Sequence, residues 1–516
     1  MSTLFFAALV PIIWLIIALI GLKLPAFQAC TGALIISFFI ATNFFGMSYQ
    51  DTFTAGLEGA TMALWPIIWV IIAAIFTYNL SVFTKGMDTI KEMLNSVSTD
   101  QRVIVLLIAW GFGGFLECMS GFGTAVAIGA SMLASIGINP ISAIIVSLLA
   151  NAMQSSYGSI GLPLTTLAQL TGFESAQIAT FATIQLGLLM LIMPFLMVVT
   201  FSGSLKALRG MVPICLVAGL GFLLPAVFAG LFMGAGLTGV AGSIFSMGLI
   251  VVYAKYFPVK DPEYQIQSVE DKSEITFDKG IKAWLPFILI FVFLIVTSKL
   301  VPPVNELLSQ AKTSIAIYTG EGAGLYTFVW IVTPGTLIMT AAIISGFVQG
   351  ATVNDMLNVV SRTIKTMIPT FITMITIIAT ARIMGYSGMI TIMATTTVAA
   401  TGAFYPFISP LIGAAGSFIT GSATTSGVLF GKLQADSALA IGAGEVGQAW
   451  MAAANAAGAC VGKIISPQSI AIGVAAVGIH GVESQIMKFA IKVFLPFVIL
   501  MGFIVYFGQA VVENLL

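Results

Sequence analysis

The chain has 516 residues, of which 59% are hydrophobic and only 8% are charged, and its mean hydropathy is +1.07. A soluble protein typically carries about a quarter charged residues, so this composition excludes a large soluble enzyme and indicates a polytopic membrane protein. Twenty basic and twenty acidic residues balance, which leaves no basic surface for nucleic acid. One histidine and four cysteines are too few for most metal centres or a disulfide scaffold, so no metal or cofactor is expected.

Twelve apolar segments are predicted to cross the bilayer as helices. The first, residues 4–22, lacks the basic n-region and the cleavage site of a signal peptide, and it is long enough to span about 30 Å of hydrocarbon. The other crossings are predicted at residues 26–46, 61–80, 141–171, 178–200, 211–231, 234–254, 283–301, 325–347, 366–385, 446–479 and 485–511.

Two further apolar stretches, residues 103–137 and 404–440, are interrupted in the middle by Gly, Ser and Thr. Such interruptions predict re-entrant hairpins that enter and leave the membrane on one side. The predicted fold class is therefore an all-α polytopic membrane protein with about twelve transmembrane helices and two re-entrant hairpins.

The basic residues orient this threading. With an external N-terminus, the cytoplasmic segments contain fifteen of the twenty basic residues, and the external loops near 47–60 and 172–177 contain none. The positive-inside rule thus predicts external N- and C-termini and a cytoplasmic linker between Lys255 and Lys282. The fifteen are Lys23, Lys85, Lys91, Arg102, Lys206, Arg209, Lys255, Lys260, Lys272, Lys279, Lys282, Arg362, Lys365, Lys488 and Lys492.

An ordered set of residues occurs twice. Asn151, Gly158 and Pro163 are each matched 304 positions later, by Asn455, Gly462 and Pro467. Just upstream, residues 120–124 parallel residues 420–424 at an offset of 300. The common order and spacing indicate a duplication.

The duplication predicts three parts. Residues 1–200 form a first repeat with hairpin 103–137 and a broken helix 141–171, residues 201–282 contain two linking helices and the cytoplasmic loop, and residues 283–516 form a second repeat with hairpin 404–440 and a broken helix 446–479. The threading starts the two repeats on opposite sides of the membrane. Inverted repeats with broken helices are typical of secondary transporters, which bind substrate at the repeat interface.

The hairpin tips and the broken helices supply candidate ligands for an anion. Helix N-termini and hydroxyl groups at the tips would bind a carboxylate, although small residues there would equally permit close helix packing. The asparagines could bind substrate or cap backbone groups freed by the prolines. The predicted substrate-binding residues are Ser120, Gly121, Thr124, Asn151, Tyr157, Thr420, Gly421, Ser422, Thr424, Thr425, Asn455, Lys463, Ser466 and Gln468.

Charged residues within apolar segments are candidates for function, because burying charge in a membrane is costly. Glu117 lies about one helical turn before the first tip and is predicted to carry a proton; the alternative is a permanently paired structural carboxylate. Lys463 would attract the anionic substrate, or it would pair with Glu117. Arg382 and Glu445 are predicted at the external interface.

Several of these segments resemble the bacterial L-lactate permease family, which includes glycolate permeases. The similarity covers most of the chain and is strongest at both hairpins. It is carried by residues 115–124 around Glu117, Asn151 with residues 158–163, Tyr386-Ser387-Gly388, residues 420–422 with residues 429–434, and residues 462–472. The chain departs from the family pattern at Ala125, at residues 154–157, and at Ala423, where the family has Asp or Asn.

The resemblance implies uptake of L-lactate or related 2-hydroxymonocarboxylates by proton symport across the bacterial inner membrane, and kinship with elevator-type carboxylate carriers. The expected partners are a small carboxylate, protons and the lipid bilayer. A sodium-coupled carboxylate transporter and an anion channel remain alternatives. No phosphate-binding loop and no nucleophile–base pair is visible, so neither an ATP-driven pump nor an enzyme is expected.

Overall fold

The computed structural model describes residues 3–121, 123–259, 261–265, 276–298 and 300–515. Phe122 of the first predicted tip, and Lys260 and Lys272 of the predicted cytoplasmic linker, lie outside these described residues. The elements below are numbered in chain order.

The first half consists of helices. Wider helical turns extend α1 through Ile17–Gly21 and join α6 to α7 through Leu106–Phe112. Between α3 and α4, the segment Ala63–Ile68 is kinked at Trp65, whose backbone is extended. The helices are α1 (Thr3–Ile16), α2 (Ala26–Asn43), α3 (Tyr49–Met62), α4 (Trp69–Phe83), α5 (Gly86–Asn95), α6 (Gln101–Val105), α7 (Gly113–Ser120), α8 (Thr124–Ser135), α9 (Pro140–Gln154), α10 (Gly158–Thr171) and α11 (Ser175–Ser202), with a short 3₁₀ turn at Ser155–Tyr157.

Two long helices and two 3₁₀ turns connect this half to the next. They are a turn at Leu205–Leu208, α12 (Val212–Met233), α13 (Ala235–Tyr256) and a turn at Pro262–Tyr264. The second half contains α14 (Phe277–Val296), α15 (Pro302–Ser309), β1 (Lys312–Ala316), β2 (Leu325–Val329), α16 (Pro334–Val348), α17 (Val353–Tyr386), α18 (Met389–Thr401), a turn at Gly402–Phe404, α19 (Tyr405–Thr420), α20 (Ala423–Ala440), α21 (Glu445–Lys463), α22 (Pro467–Val477) and α23 (Glu483–Leu515).

The predicted all-α membrane fold is confirmed. Within the described residues, eleven helices are long and apolar enough to cross a membrane, or twelve if the bent pair α21–α22 is one span. Sequence signals fix several boundaries. Asn139 accepts hydrogen bonds from the first amides of α9, and Thr352 and Asp355 form a reciprocal capping box at the start of α17.

The prediction of one membrane helix over residues 325–347 is wrong over its first nine positions. Residues 325–329 form strand β2, which pairs antiparallel with β1, and helix α16 begins only at Pro334. Tyr, Thr, Phe and Val favour extended backbone, and a proline suits the first position of a helix. Hydropathy cannot separate these two elements because both are apolar.

Helix α18 is not among the elements predicted from the sequence, but its contacts fit the arrangement of the two halves. It contacts α1, just as α5 contacts α14 in the other half. The same reciprocity relates α2 with α17 and α16 with α4. Each of these helices in one half therefore contacts a helix of the other half, and the contacts occur in matching pairs.

The first arm of hairpin 103–137 is enclosed by protein. Every residue in the most apolar window of Gln101–Ser120 is buried, whereas only 28% of the window in Thr3–Gly21 is buried. Backbone that turns within the membrane is tolerated where protein surrounds it, because freed amides and carbonyls then find partners away from lipid.

Glycine lets the second hairpin approach the second broken helix. A Cβ atom on Gly458 of α21 would overlap the carbonyl oxygen of Pro410 in α19, and one on Gly462 would overlap that of Ala414. Close backbone approach through small residues is the usual way in which membrane helices associate.

We therefore expect Gly458→Ala to lower the stability of the detergent-solubilised protein by about 1–3 kcal/mol, the cost of overpacking a tight contact. Thermal unfolding monitored by size-exclusion chromatography measures this change. Gly248→Ala is the matched control, because nothing lies within 4 Å of a Cβ at that helical glycine. Equal stability of the two variants would contradict the close packing of α19 on α21.

Candidate functional site

The tips of the two hairpins and the breaks of the two interrupted helices surround one cavity of about 450 Å³. The α1–α2 turn and the middle of α17 complete its wall. The lining residues are Leu19, Pro25, Ala26, Phe27, Cys30, Glu117, Gly121, Gly123, Ser155, Gly158, Ser159, Leu162, Pro163, Pro369, Thr370, Thr373, Met374, Thr420, Gly421, Ser422, Ala423, Thr424, Thr425, Lys463, Gln468, Ser469 and Ile472.

The first break is a run of left-handed backbone. Ser159, Ile160 and Gly161 have φ angles of 47°, 56° and 71°, and the two residues that carry a Cβ pay for this conformation in steric strain. The Ser159 hydroxyl donates to the backbone carbonyl of Ser120 at 2.9 Å. The tip of the first hairpin thereby holds the break in place.

The tips touch the breaks at glycine. A Cβ on Gly121 would lie 2.5 Å from Ser159 Oγ, and a Cβ on Gly421 would overlap the side-chain oxygen of Gln468. Both glycines also have positive φ angles, of 64° and 69°. Each tip is thus fitted to the broken helix of its own half.

A buried ion pair joins the two halves inside the cavity. Lys463 Nζ lies 3.1 Å from Glu117 Oε1, and the two side chains are only 8% and 2% exposed. Glu117 lies in the last turn of α7, in the first hairpin, and Lys463 is the last residue of α21 before its break. The carboxylate fits there because Gly158 has no side chain; a Cβ at that position would lie 3.2 Å from Glu117 Oε1.

The pair leaves hydrogen-bonding capacity unused. Glu117 Oε2 is buried and has no hydrogen-bond partner among the described residues. A buried oxygen without a partner is costly, so the second carboxylate oxygen is suited to a proton or to a ligand in the cavity.

Helix N-termini also face the cavity. Ser422 caps α20 by accepting from the Thr425 amide at 3.2 Å, and Ser466 caps α22 by accepting from the Ser469 amide at 3.5 Å. First-turn residues of both helices line the cavity. Their amide groups add positive potential beside Lys463, which favours an anion.

Nine of the fifteen predicted site residues line the cavity: Glu117, Gly121, Thr420, Gly421, Ser422, Thr424, Thr425, Lys463 and Gln468. Six lie outside its wall: Ser120, Thr124, Asn151, Tyr157, Asn455 and Ser466.

Those six residues have local structural contacts or buried positions. The Ser120 hydroxyl donates to the Leu116 carbonyl at 2.9 Å, and the Tyr157 hydroxyl lies 2.9 Å from Thr183 Oγ1. Asn151 and Asn455 are buried within α9 and α21, and within the described residues the side-chain amide nitrogens of both lack hydrogen-bond partners.

Sequence reasoning missed the wall contributed by α17. Thr370 and Thr373 line the cavity together with the tips, and Thr373 also donates to the Pro369 carbonyl at 2.8 Å. Such threonines are common in membrane helices, so only the proline four residues earlier could have drawn attention to this position. Ser159 was missed as well, although it is the repeat counterpart of Lys463.

The model of the L-lactate permease family matches residues 4–512. The chain belongs to the L-lactate permease family. It is 41% identical to an L-lactate permease of Streptococcus iniae over 446 residues, which cover 86% of this chain and 92% of the relative. It is 32% identical to the glycolate permease GlcA of Escherichia coli K12, with 96% of this chain and 94% of the relative covered.

A solved structure shows a similar fold. The crystal structure of the Alcanivorax borkumensis YdaH transporter matches 88% of each chain with a TM-score of 0.50 and 14% identity. The predicted family is confirmed, and the protein is a multi-pass bacterial membrane permease rather than an enzyme. No group of three His, Cys, Asp or Glu side chains that could hold a metal occurs in the part of the chain that the structure describes.

Breaking the ion pair tests its contribution to stability. Lys463→Met leaves a buried carboxylate without its partner, and we expect it to lower the free energy of unfolding by about 3 kcal/mol or more. The double variant Glu117→Gln/Lys463→Met should recover most of that loss, because neither charge remains. Thermal unfolding in detergent provides the comparison, with exposed Lys488→Met as the control. Strictly additive losses would contradict direct pairing.

Proposed function

We propose that the protein is a secondary active transporter that imports L-lactate or a related 2-hydroxymonocarboxylate with protons, through alternating access with an elevator-like movement. The buried Glu117–Lys463 pair in the wall of the cavity is the observation on which this proposal rests. The names of the relatives from Streptococcus iniae and Escherichia coli supply the substrate class.

The cavity suits a small hydroxy acid. Lys463 and the amides at the start of α20 offer positive charge and hydrogen bonds for a carboxylate, and the hydroxyls of Thr420, Thr424 and Thr425 offer partners for a 2-hydroxyl group. Leu162, Met374 and Ile472 provide apolar contacts for the remaining carbon atoms. Precise polar groups within an apolar wall are typical of small-molecule sites.

The ion pair provides a mechanism of coupling. In the empty site Glu117 is ionised and neutralises Lys463. When Glu117 takes up a proton, Lys463 becomes free to pair with the substrate carboxylate, and the site is again neutral. A site that holds only the proton or only the substrate carries an unpaired buried charge, which is costly to move through the low-dielectric membrane. Proton and substrate would therefore cross together.

The arrangement of the halves supports alternating access. Corresponding helices make reciprocal contacts, and the predicted threading places the halves in opposite orientations. The exposed rim residues Pro25, Ala26 and Pro369 lie near Lys23 and Arg362 in sequence, which the positive-inside rule places in the cytoplasm. We assign the cavity to an inward-facing state.

Two apolar clusters meet at the substrate cavity. One unites α1, α2, α3, α17 and α18 with residues of α10 and α20, and the other unites the first hairpin, the broken helices and α11–α13 with α4, α5, α14 and α16. The clusters do not divide the helices into a fixed group and a sliding group. The elevator-like part of the proposal therefore rests on the resemblance to elevator-type carboxylate carriers.

Glu117→Gln is the sharpest test of coupling. The glutamine cannot release a proton to recreate the neutral empty site, so the empty carrier would return with an unpaired Lys463. We expect uptake driven by a pH gradient to fall by about tenfold or more, while exchange of labelled for unlabelled L-lactate persists because both half-cycles are then loaded. Both are measured in proteoliposomes.

Glu445→Gln is the matched control, since Glu445 is an exposed carboxylate at the start of α21. Proton-driven accumulation at the wild-type level in Glu117→Gln would exclude Glu117 as the proton carrier. Loss of exchange together with loss of uptake in a properly folded variant would instead indicate a role in binding.

Replacing sodium with potassium separates the proposal from a sodium-coupled carrier. We expect uptake of L-lactate under an imposed pH gradient to be unchanged, because the coupling charge is a proton on Glu117. Uptake that requires sodium at constant pH would overturn proton coupling. Failure to concentrate substrate under either gradient would indicate a channel.

A further inference from the structure

A second, smaller cavity lies along the same helices as the substrate cavity. It has a volume of about 260 Å³ and lies between α10, α17, α18 and α20. Its wall contains two cationic side chains, Arg382 and Lys432, together with the ring of Tyr386.

The carboxylates that pair with these cations do not line the cavity. Arg382 Nε lies 3.4 Å from Glu58 Oε1, and Lys432 Nζ lies 3.0 Å from Asp436 Oδ1. Neither Glu58 nor Asp436 belongs to the wall. Among the described residues, two cations and no carboxylate therefore line the cavity, and cationic groups on a cavity wall favour an anionic ligand.

Arg382 is paired with Glu58 by charge but not by a hydrogen bond. Its Nε forms no hydrogen bond among the described residues, because the geometry of the contact with Glu58 is poor. Glu58 Oε1 instead accepts a hydrogen bond of 2.9 Å from Tyr386. Lys432 is held beside α17, where its side-chain carbons would be 3.8 Å and 3.9 Å from a Cβ on Gly385.

Helices α10, α17 and α20 line both cavities, each at two different positions along its length. Helix α17 contributes Thr373 to the substrate cavity and Arg382 to the second one, nine residues or about 13 Å further along the helix. Helix α10 contributes Leu162 and then Leu170. Residues 376–380 of α17, which lie between the two cavities, are buried. Packed side chains therefore separate the two cavities along this helix.

We propose that the second cavity is a separate binding site for the monocarboxylate anion, on the external side of the inward-facing substrate cavity. Arg382 and Lys432 would hold the carboxylate before the carrier opens outward. This inference rests on the proposed function, and its side of the membrane follows from the threading that places the C-terminal end of α17 outside. A cationic vestibule raises the local concentration of an anionic substrate.

The first experiment measures uptake of L-lactate by intact cells and by inside-out vesicles. In Lys432→Gln, the half-saturating concentration for transport from the external side should rise by about tenfold at an unchanged maximal rate, and that from the inner side should stay the same. Lys432→Arg should restore the wild-type value. Lys312→Gln on the exposed strand β1 is the control for loss of a lysine elsewhere.

The second experiment detects the site without transport. Leu170→Cys places a thiol in the cavity wall; it is introduced together with Cys30→Ser, because Cys30 lines the substrate cavity, and the other three native cysteines are buried. An anionic methanethiosulfonate reagent should label this thiol faster than a cationic one, L-lactate should slow labelling, and uncharged lactamide should not. Adding Lys432→Gln should reduce the charge preference by about tenfold.

Labelling without charge preference or without protection by L-lactate overturns the second site, as does an external half-saturating concentration that is unchanged in Lys432→Gln. If the wild-type protein accumulates no hydroxy acid but labelling keeps its charge preference and protection, the anion site stands and the proposed transport function falls. The two failures are therefore distinguishable.

Discussion

A buried charge needs a partner of opposite charge, and this constraint explains why two distant parts of the chain meet at the substrate cavity. Glu117 and Lys463 are separated by 346 positions in the chain, yet their side chains meet at 3.1 Å in a region that excludes most solvent. Either charge alone would be strongly unfavourable there. The pair thus ties the first hairpin to the second broken helix, and under the proposed mechanism a proton together with a competing anion would break that connection.

The interrupted backbone allows this meeting. Gly158 gives Glu117 room, and the left-handed residues Ser159 and Ile160 interrupt the helix next to it. The strain of these two residues persists because the hairpin tip contacts them through the hydrogen bond from Ser159 to Ser120. Backbone strain, small residues and buried charge therefore occur around the same cavity.

Much of this fold could be predicted because each membrane-spanning helix needs about 20 consecutive apolar residues, which a sequence shows directly. Glu117 and Lys463 could be selected as well, since charged residues are rare in such segments. The sequence alone could not decide whether the two residues form an ion pair or act separately, because a hydropathy pattern gives no distance between residues that are far apart in the chain. The strand at residues 325–329 was mistaken for part of a helix because both are apolar. Thr370 and Thr373 were missed because the packing of α17 against the tips, rather than their residue type, brings them to the cavity.

The central claim of the proposal is that a proton neutralises Glu117 and that the substrate carboxylate then takes its place beside Lys463. It is tested most directly by measuring the fluxes of protons and labelled L-lactate together in proteoliposomes at several imposed membrane potentials. The account predicts one proton per substrate and an uptake rate that does not change with potential at constant pH gradient. Uptake that carries net charge, and that an imposed potential accelerates, would contradict it.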